Sequence, residues 1–326
     1  MRATRFLGLA AALCSAALCA TAVPAQAAGA TYSLLVFPDQ SHSSVYSFIT
    51  SATKSIDMTM YELRDTTAVN DLVSRSRAGV KVRVILDAQH TSVNGSAYST
   101  LRAAGVGVTY SSSAYVYTHQ KTITVDGAKS LILSGNLDSV YYANDRDYGV
   151  FDNDVNDVAA IERVFAADYA KTSVTPSDGD NLLWSPTDSQ SRLLALINGA
   201  HQSLDVEELE FGDPAVVNAL AAAAGRGVSV RVVGMDPGSY GAQFDQVTAA
   251  GAGVVTYSSS GGLYVHAKAV VADYGTGTAK VEVGSINLSD NSLNSNRELG
   301  LIISDPGVLT GVETTFATDF AGGTPY

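Results

Sequence analysis

The sequence predicts an α/β protein of two similar lobes with mostly parallel sheets, related by a pseudo-two-fold axis, with one active site at the lobe interface. Three observations carry this. Apolar strand-like runs alternate with helical stretches of about a dozen residues. The same punctuation recurs in the same order in both halves. A polar, turn-rich stretch, Thr175-Pro176-Ser177-Asp178-Gly179-Asp180, lies between them. The expected organisation is a signal peptide over 1–27, an N-terminal half over 28–174, a linker over 175–182 and a C-terminal half over 183–326.

The first segment reads as an export signal. Arg2 and Arg5 give a positive start, Phe6 to Val23 is an apolar run, and Ala25-Gln26-Ala27 has the small-x-small pattern of a cleavage site. Ser15 and Thr21 interrupt the run and Pro24 closes it, which makes it a poor membrane span. No later run is long enough to span a bilayer, so a secreted chain without a transmembrane segment is expected. Cys14 and Cys19 both lie inside the signal, so the processed chain would carry no disulfide, thiol nucleophile or cysteine-bound metal.

The repeat is read block by block. Helical stretches at Ser44–Ser51 and Arg192–Gly199 precede the strands Ser55-Ile56-Asp57-Met58 and Ser203-Leu204-Asp205-Val206. Asp65 and Asp213 then stand as N-caps, with Pro214 at a first helical position. Gly79 and Gly227 stop those helices before the valine-rich strands at 80–84 and 228–233. After a further helix, Ala103-Ala104-Gly105 matches Ala249-Ala250-Gly251, and each leads to a Tyr-Ser-Ser-Ser run, at Tyr110 and Tyr257.

The formal charge is −12, or −14 once Arg2 and Arg5 are removed, with 18 bases against 32 acids. The bases are scattered. Such a surface repels polyanions and gains little from counterion release, which argues against a nonspecific nuclease.

The block that carries chemistry comes next. His119-Gln120-Lys121 is followed by Asp126, and His266-Ala267-Lys268 by Asp273, so HxKxxxxD occurs twice. In a strand, positions i and i+2 share a face, which would project each histidine with its lysine. Downstream, Ser134-Gly135-Asn136 matches Ser285-Ile286-Asn287, and Arg146-Asp147 matches Arg297-Glu298. His119 and His266 lie 147 positions apart and the downstream pairs 151, a difference that the turn at Tyr274–Ala279 absorbs. The first copy has Leu133 where the second has Gly284, so close backbone approach is where the copies differ.

On these motifs the chain resembles the phospholipase D superfamily of phosphodiesterases, over nearly all of its length beyond the signal. The resemblance implies a single site formed by both motifs and needing no metal or cofactor. It also implies that His119 is the nucleophile, forming a phosphohistidine, and His266 the general acid and then the base for water. The reverse assignment stays open, because two similar paired groups titrate together. Lys121 and Lys268 would supply charge, and Asn136 and Asn287 amide donors, to the phosphoryl oxygens. Asp147 and Glu298 would fix the histidines by their second ring nitrogens. Ser134 and Ser285 are expected to bond substrate or lysine, and Asp126 and Asp273 to order the turn after the strand.

His42, His90 and His201 read as ordinary core or surface histidines, and Glu62 and Glu210 as exposed acids near helix starts. Tyr115, Tyr117, Tyr141, Tyr142 and Tyr264 cluster beside the motifs, either because strands favour tyrosine or as an aromatic cage for a quaternary ammonium. The leading expectation is a phospholipase D that cleaves lipids such as phosphatidylcholine to phosphatidic acid and a free alcohol. It would touch the membrane surface transiently and act as a monomer, because both halves are already fused. A metal-independent nuclease and a noncatalytic binding protein are the alternatives. Charge weighs against the nuclease, and the intact motifs against the binding protein.

Overall fold

The computed structural model describes residues 31–326, so the expected signal, with Cys14 and Cys19, lies outside the described residues. The first half runs β1 (Tyr32–Phe37), α1 (Ser43–Ser51), β2 (Ser55–Met60), α2 (Thr66–Arg77), β3 (Lys81–Leu86), α3 (Thr91–Ala103), β4 (Gly107–Tyr110), β5 (Thr122–Val125), β6 (Lys129–Leu133), β7 (Asp145–Asp152) and α4 (Val155–Ala170). The second runs β8 (Leu182–Ser185), α5 (Ser189–Gly199), β9 (Ser203–Glu208), α6 (Pro214–Gly225), β10 (Ser229–Met235), α7 (Pro237–Ala249) and β11 (Gly253–Tyr257). It continues through β12 (Tyr264–Val265), β13 (Lys268–Ala272), β14 (Lys280–Gly284), α8 (Asp290–Asn294), β15 (Glu298–Ile303), α9 (Pro306–Gly322) and β16 (Thr324–Pro325).

Each lobe holds one sheet, and the two share a strand order. The first reads β1-β7-β6-β5-β2-β3-β4, and the second β8-β15-β14-β13-β9-β10-β11 with β16 at its far edge. The sheets are mixed rather than mostly parallel. Only β2-β3-β4 and β9-β10-β11 run parallel within the two orders, because helices cross over between those strands. The strands β5-β6-β7 and β13-β14-β15 are joined without a crossover helix and pair antiparallel.

The expected punctuation sets the local structure. The Asp65 carboxylate accepts from the Thr67 and Ala68 amides and Asp213 from that of Val216, capping α2 and α6. Gly79 and Gly227 each take φ of +91°, the left-handed turn that ends a helix and admits glycine without strain. Alternation along the strands then sorts the core. In β6, Leu131 and Leu133 join the cluster beneath α1, α2 and α3, whereas Ile132 faces the other way. Ile132 meets Tyr148, Val164, Trp184, Val283, Leu299 and Phe316 in a core shared by the lobes, which fixes one lobe against the other.

The motif aspartates do more than order a turn. Asp126 and Asp273 sit at φ of +57° and +54°. The Asp126 carboxylate accepts from the backbone amides of Thr53, Lys54 and Ser55, and Asp273 from those of His201, Gln202 and Ser203. Each clips the chain leading into the neighbouring strand. Burial opposes ionisation of Asp126, but these donors overcome it and hold the carboxyl down at about 2. A depressed folded value contributes stability above the usual carboxylate range, lost as pH falls toward 2. Asparagine tolerates the left-handed region and keeps an acceptor, so Asp126→Asn should cost about 1 kcal/mol. Asp126→Ala adds lost bonds and backbone strain, roughly 3 kcal/mol, read by urea unfolding. Equal losses would show that the negative charge, not the bonding pattern, is what the position needs.

Candidate active site

Both histidines lie at strand entrances rather than inside strands. His119 precedes β5, and His266 stands between β12 and β13. Each entrance crosses to the other lobe. The His119 and Gln120 amides both donate to the Arg297 carbonyl, at 3.0 Å, and the Arg297 amide donates to Tyr117 O. Likewise β12 pairs with β7, and the His266 amide donates to the Arg146 carbonyl at 3.1 Å. The residue after each arginine is an acid, so this pairing sets the acid beside the opposite lobe's histidine.

The acids therefore act crosswise. His119 Nδ1 lies 2.8 and 2.9 Å from the Glu298 carboxylate oxygens, and His266 Nδ1 lies 2.9 Å from Asp147 Oδ1. An Nδ1–H donated to a carboxylate leaves Nε2 with a free lone pair. The histidine side chains are 12% and 13% exposed, so a substrate can reach them. The sequence supplied the two acids but not which histidine each holds.

Ser134 and Ser285 turn to the acids and not to the lysines. Each donates to the acid of its own lobe: Ser134 to Asp147 at 2.6 Å and Ser285 to Glu298 at 2.7 Å. The expected lysine partner gives way to the acid because each serine directly follows the strand beside the acid's strand. Glu298 gains two further donors, Ser292 Oγ at 2.7 Å and Asn296 Nδ2 at 3.2 Å, which the motif comparison missed. Their counterparts 151 positions earlier are Tyr141 and Asp145, so the two acids are held unequally.

Lys121 and Lys268 are fully buried. Lys121 Nζ donates to the His119 carbonyl at 2.6 Å, and Lys268 Nζ to the His266 carbonyl. Lys268 Nζ also sits 3.2 Å from His266 Nδ1. Asn136 and Asn287 each carry a buried Oδ1 without a partner among the described residues. Half a turn of the amide brings its two N–H donors to the same place. Leu133 leaves the first copy intact, since its side chain covers Gly149 within the first lobe's core, where the second lobe packs Gly284 against Gly300. Close approach in the first copy falls to Gly135 instead, where a Cβ would meet Asp147 Oδ2 at 2.5 Å.

Burial and charge set the protonation states. Burial pushes His119 down to about 4, with Lys121 and Lys268 adding to the effect and Glu298 opposing it. His266 is lowered by burial and then by Lys268, against Asp147. Burial also brings Lys121 down to about 7, with Glu298 opposing and Lys268 assisting, and lowers Lys268. Burial raises the two acids, but His266 and Lys268 hold Asp147 below its ordinary range, and His119 and Lys121 do the same for Glu298. Two neutral imidazoles on ionised carboxylates, beside two cations that a bound anion would stabilise, can divide nucleophilic and acid–base work at a phosphodiester.

Several neighbours depart from expectation. Glu62 and Glu210 are half-buried and act electrostatically on Lys121 and Lys268, so they are not merely exposed acids. His90 bonds the Tyr61 hydroxyl at 3.0 Å and Asp87 at 3.1 Å, and the Tyr61 ring packs edge-on to His119 at 4.5 Å. The tyrosines form no single cage. Tyr115 lies under Arg297, Tyr142 stacks on His42 and donates to Asp65, Tyr141 lies under Arg64, Tyr117 faces Tyr61, and Tyr264 flanks His266.

Comparison with known proteins agrees with this geometry. The model of the family described as cardiolipin synthase, PLD-like domain, matches twice, over residues 45–169 and 193–320. The mitochondrial cardiolipin hydrolase of Danio rerio is 31% identical over 97 residues, covering 30% of this chain and 42% of that protein. The protein of the same name from Xenopus laevis is 35% identical over 133 residues, covering 40% of this chain and 60% of its own length. The matches thus span about half the length of these curated relatives. The phosphatidylserine synthase of Haemophilus influenzae Rd KW20 shares the fold, with a TM-score of 0.66 at 14% identity over 89% of this chain and 86% of that one. One family model matching both lobes places this chain in the phospholipase D superfamily.

Proposed function

We propose that the chain is a secreted phospholipase D that hydrolyses phospholipids such as phosphatidylcholine to phosphatidic acid and the free headgroup alcohol. The crossed pairs His119–Glu298 and His266–Asp147, with Lys121 and Lys268 buried beside them, are the observation that carries this reading. In the first step His119 Nε2 attacks phosphorus, a P–N bond forms, and the P–O bond to the headgroup breaks. Protonated His266 gives its Nε2 proton to the leaving oxygen. Water then yields a proton to His266, and its oxygen displaces His119, so the phosphate leaves as phosphatidic acid.

Two observations favour His119 for the attack. Glu298 accepts from His119, Ser285, Ser292 and Asn296, an anchorage that holds the imidazole in one orientation. The low value of His119 keeps it neutral across the neutral range. Lys121, Lys268, Asn136 and Asn287 stabilise the phosphoryl oxygens, and a bound anionic diester offsets the repulsion that lowers His266 before substrate arrives.

The acidic surface and the lipid names of the family and the curated relatives support a lipid rather than a nucleic acid. Arg2, Arg5, the apolar Phe6–Val23 and Ala25-Gln26-Ala27 support export. One chain supplying both histidines and both acids supports action as a monomer, and a lipid substrate would entail transient contact with the membrane surface.

The test is incubation without added metal with phosphatidylcholine vesicles and, separately, with single- and double-stranded DNA. Choline should be released, and His119→Ala should lower the rate by about 10³-fold or more. DNA cleavage with intact lipid would move the same two-histidine chemistry to a nuclease. No cleavage of either, with binding retained, would make this a binding protein.

The pH dependence follows from the same shifts. In the free enzyme the nucleophile is lost only as pH falls toward about 4, whereas Lys121 gives up its proton as pH rises through about 7. The profile of kcat/KM should therefore peak on the acid side of neutrality and decline above 7. A plateau extending above pH 9 would exclude Lys121 as a titrating group at the site.

A further inference from the structure

The backbone of each histidine hangs on the carbonyl of Arg297 or Arg146, and its imidazole on the next residue, so the placement of these arginines matters. Both are buried, and each guanidinium reaches into the opposite lobe. Arg146 Nε and Nη2 bond the two carboxylate oxygens of Asp319, on α9, at 2.5 and 3.1 Å. Its Nη1 donates to the Phe37 carbonyl at 2.8 Å and to Asp39 at 3.0 Å, at the end of β1. Arg297 Nε and Nη2 lie 2.9 and 3.2 Å from the two oxygens of Asp168, on α4. Its Nη2 also bonds the Tyr115 hydroxyl, and the guanidinium lies 4.3 Å from that ring's centre. Asp168 and Asp319 are 151 positions apart, as are the arginines, so the device is present in both halves.

We propose that Arg146 and Arg297 are positioning residues, each setting the imidazole of the opposite lobe's histidine through its own carbonyl and the acid that follows it. The proposal rests on the reading of His119 and His266 as the reacting groups. Arg297 grips the first lobe on both sides of the His119 segment, through Tyr115 before it and Asp168 behind it. Arg146 bonds Asp319 through both Nε and Nη2, and Arg297 bonds Asp168 and Tyr115 through Nη2, so each planar guanidinium is fixed in rotation as well as distance, which a lysine cannot do. Without that grip the lobes still share their apolar core. What is lost is the fine placement of one imidazole against one acid.

Arg297→Lys and Arg146→Lys separate positioning from folding because the effect is confined to one half. The imidazole Nδ1 protons bonded to Glu298 and Asp147 should give two low-field proton NMR signals, assigned with His119→Asn and His266→Asn. Arg297→Lys should abolish or shift only the His119 signal, and Arg146→Lys only that of His266. In each, kcat should fall about 100-fold with KM little changed, the loss expected of an ångström-scale misplacement, and added guanidinium should restore part of it. Both signals unchanged in both variants, or both lost together in either, would overturn the proposal. Should a lysine variant fail to fold, Asp168→Glu and Asp319→Glu keep the charge while displacing the fork, and the same one-sided response decides. The signals are read without turnover, so an enzyme inactive on every lipid and nucleic acid would sink the functional reading and leave this test standing.

Discussion

The structure depends on an exchange of partners: the imidazole of each lobe is held by a carboxylate of the other. Neither lobe contains a complete histidine–acid pair. The exchange is enforced by backbone, since β12 adds to β7, and Thr118 bridges Arg297 at the equivalent place. The shared apolar core, the crossed arginines and the strand additions all serve one geometric end, which is to keep two lone pairs in one cleft.

The exchange also answers an electrostatic problem. Two fully buried lysines would be costly in isolation, because an ammonium out of water loses its hydration. Here Glu298 and Asp147 favour the charge on Lys121, and Asp147 and Glu210 that on Lys268. Asp147 and Glu298 are ionised because histidine and lysine face them, and the lysines are held because these two acids are ionised. Removing any one member leaves another buried charge without compensation.

The sequence made much of this legible through repetition. Caps at Asp65 and Asp213, stops at Gly79 and Gly227, and the doubled HxKxxxxD pattern all depend on local chemistry, and local chemistry leaves a mark at fixed spacing. Partner choice across the interface leaves none. Nothing in the order of residues says that Glu298 meets His119, or that Ser134 turns to Asp147, because both depend on how two sheets dock. Strand direction is only half legible for a related reason: alternating helices point to parallel pairing, whereas the short connections at Asp126 and Asp273 turn the next strands antiparallel. Asp168 and Asp319 could have been found by extending the repeat past Gly149 and Gly300, since they keep the same spacing.

The stretch between α4 and β8 gains meaning from the exchange. It is docked rather than free: the Asp180 and Asn181 amides donate to Asp157, and the Trp184 indole donates to the Ser177 carbonyl. Two half-length chains could build the same cleft only by meeting in solution, and dilution would take it apart by mass action. A short tether replaces that encounter with an effective concentration on the order of millimolar. The connection makes the existence of the candidate site independent of how many copies are nearby.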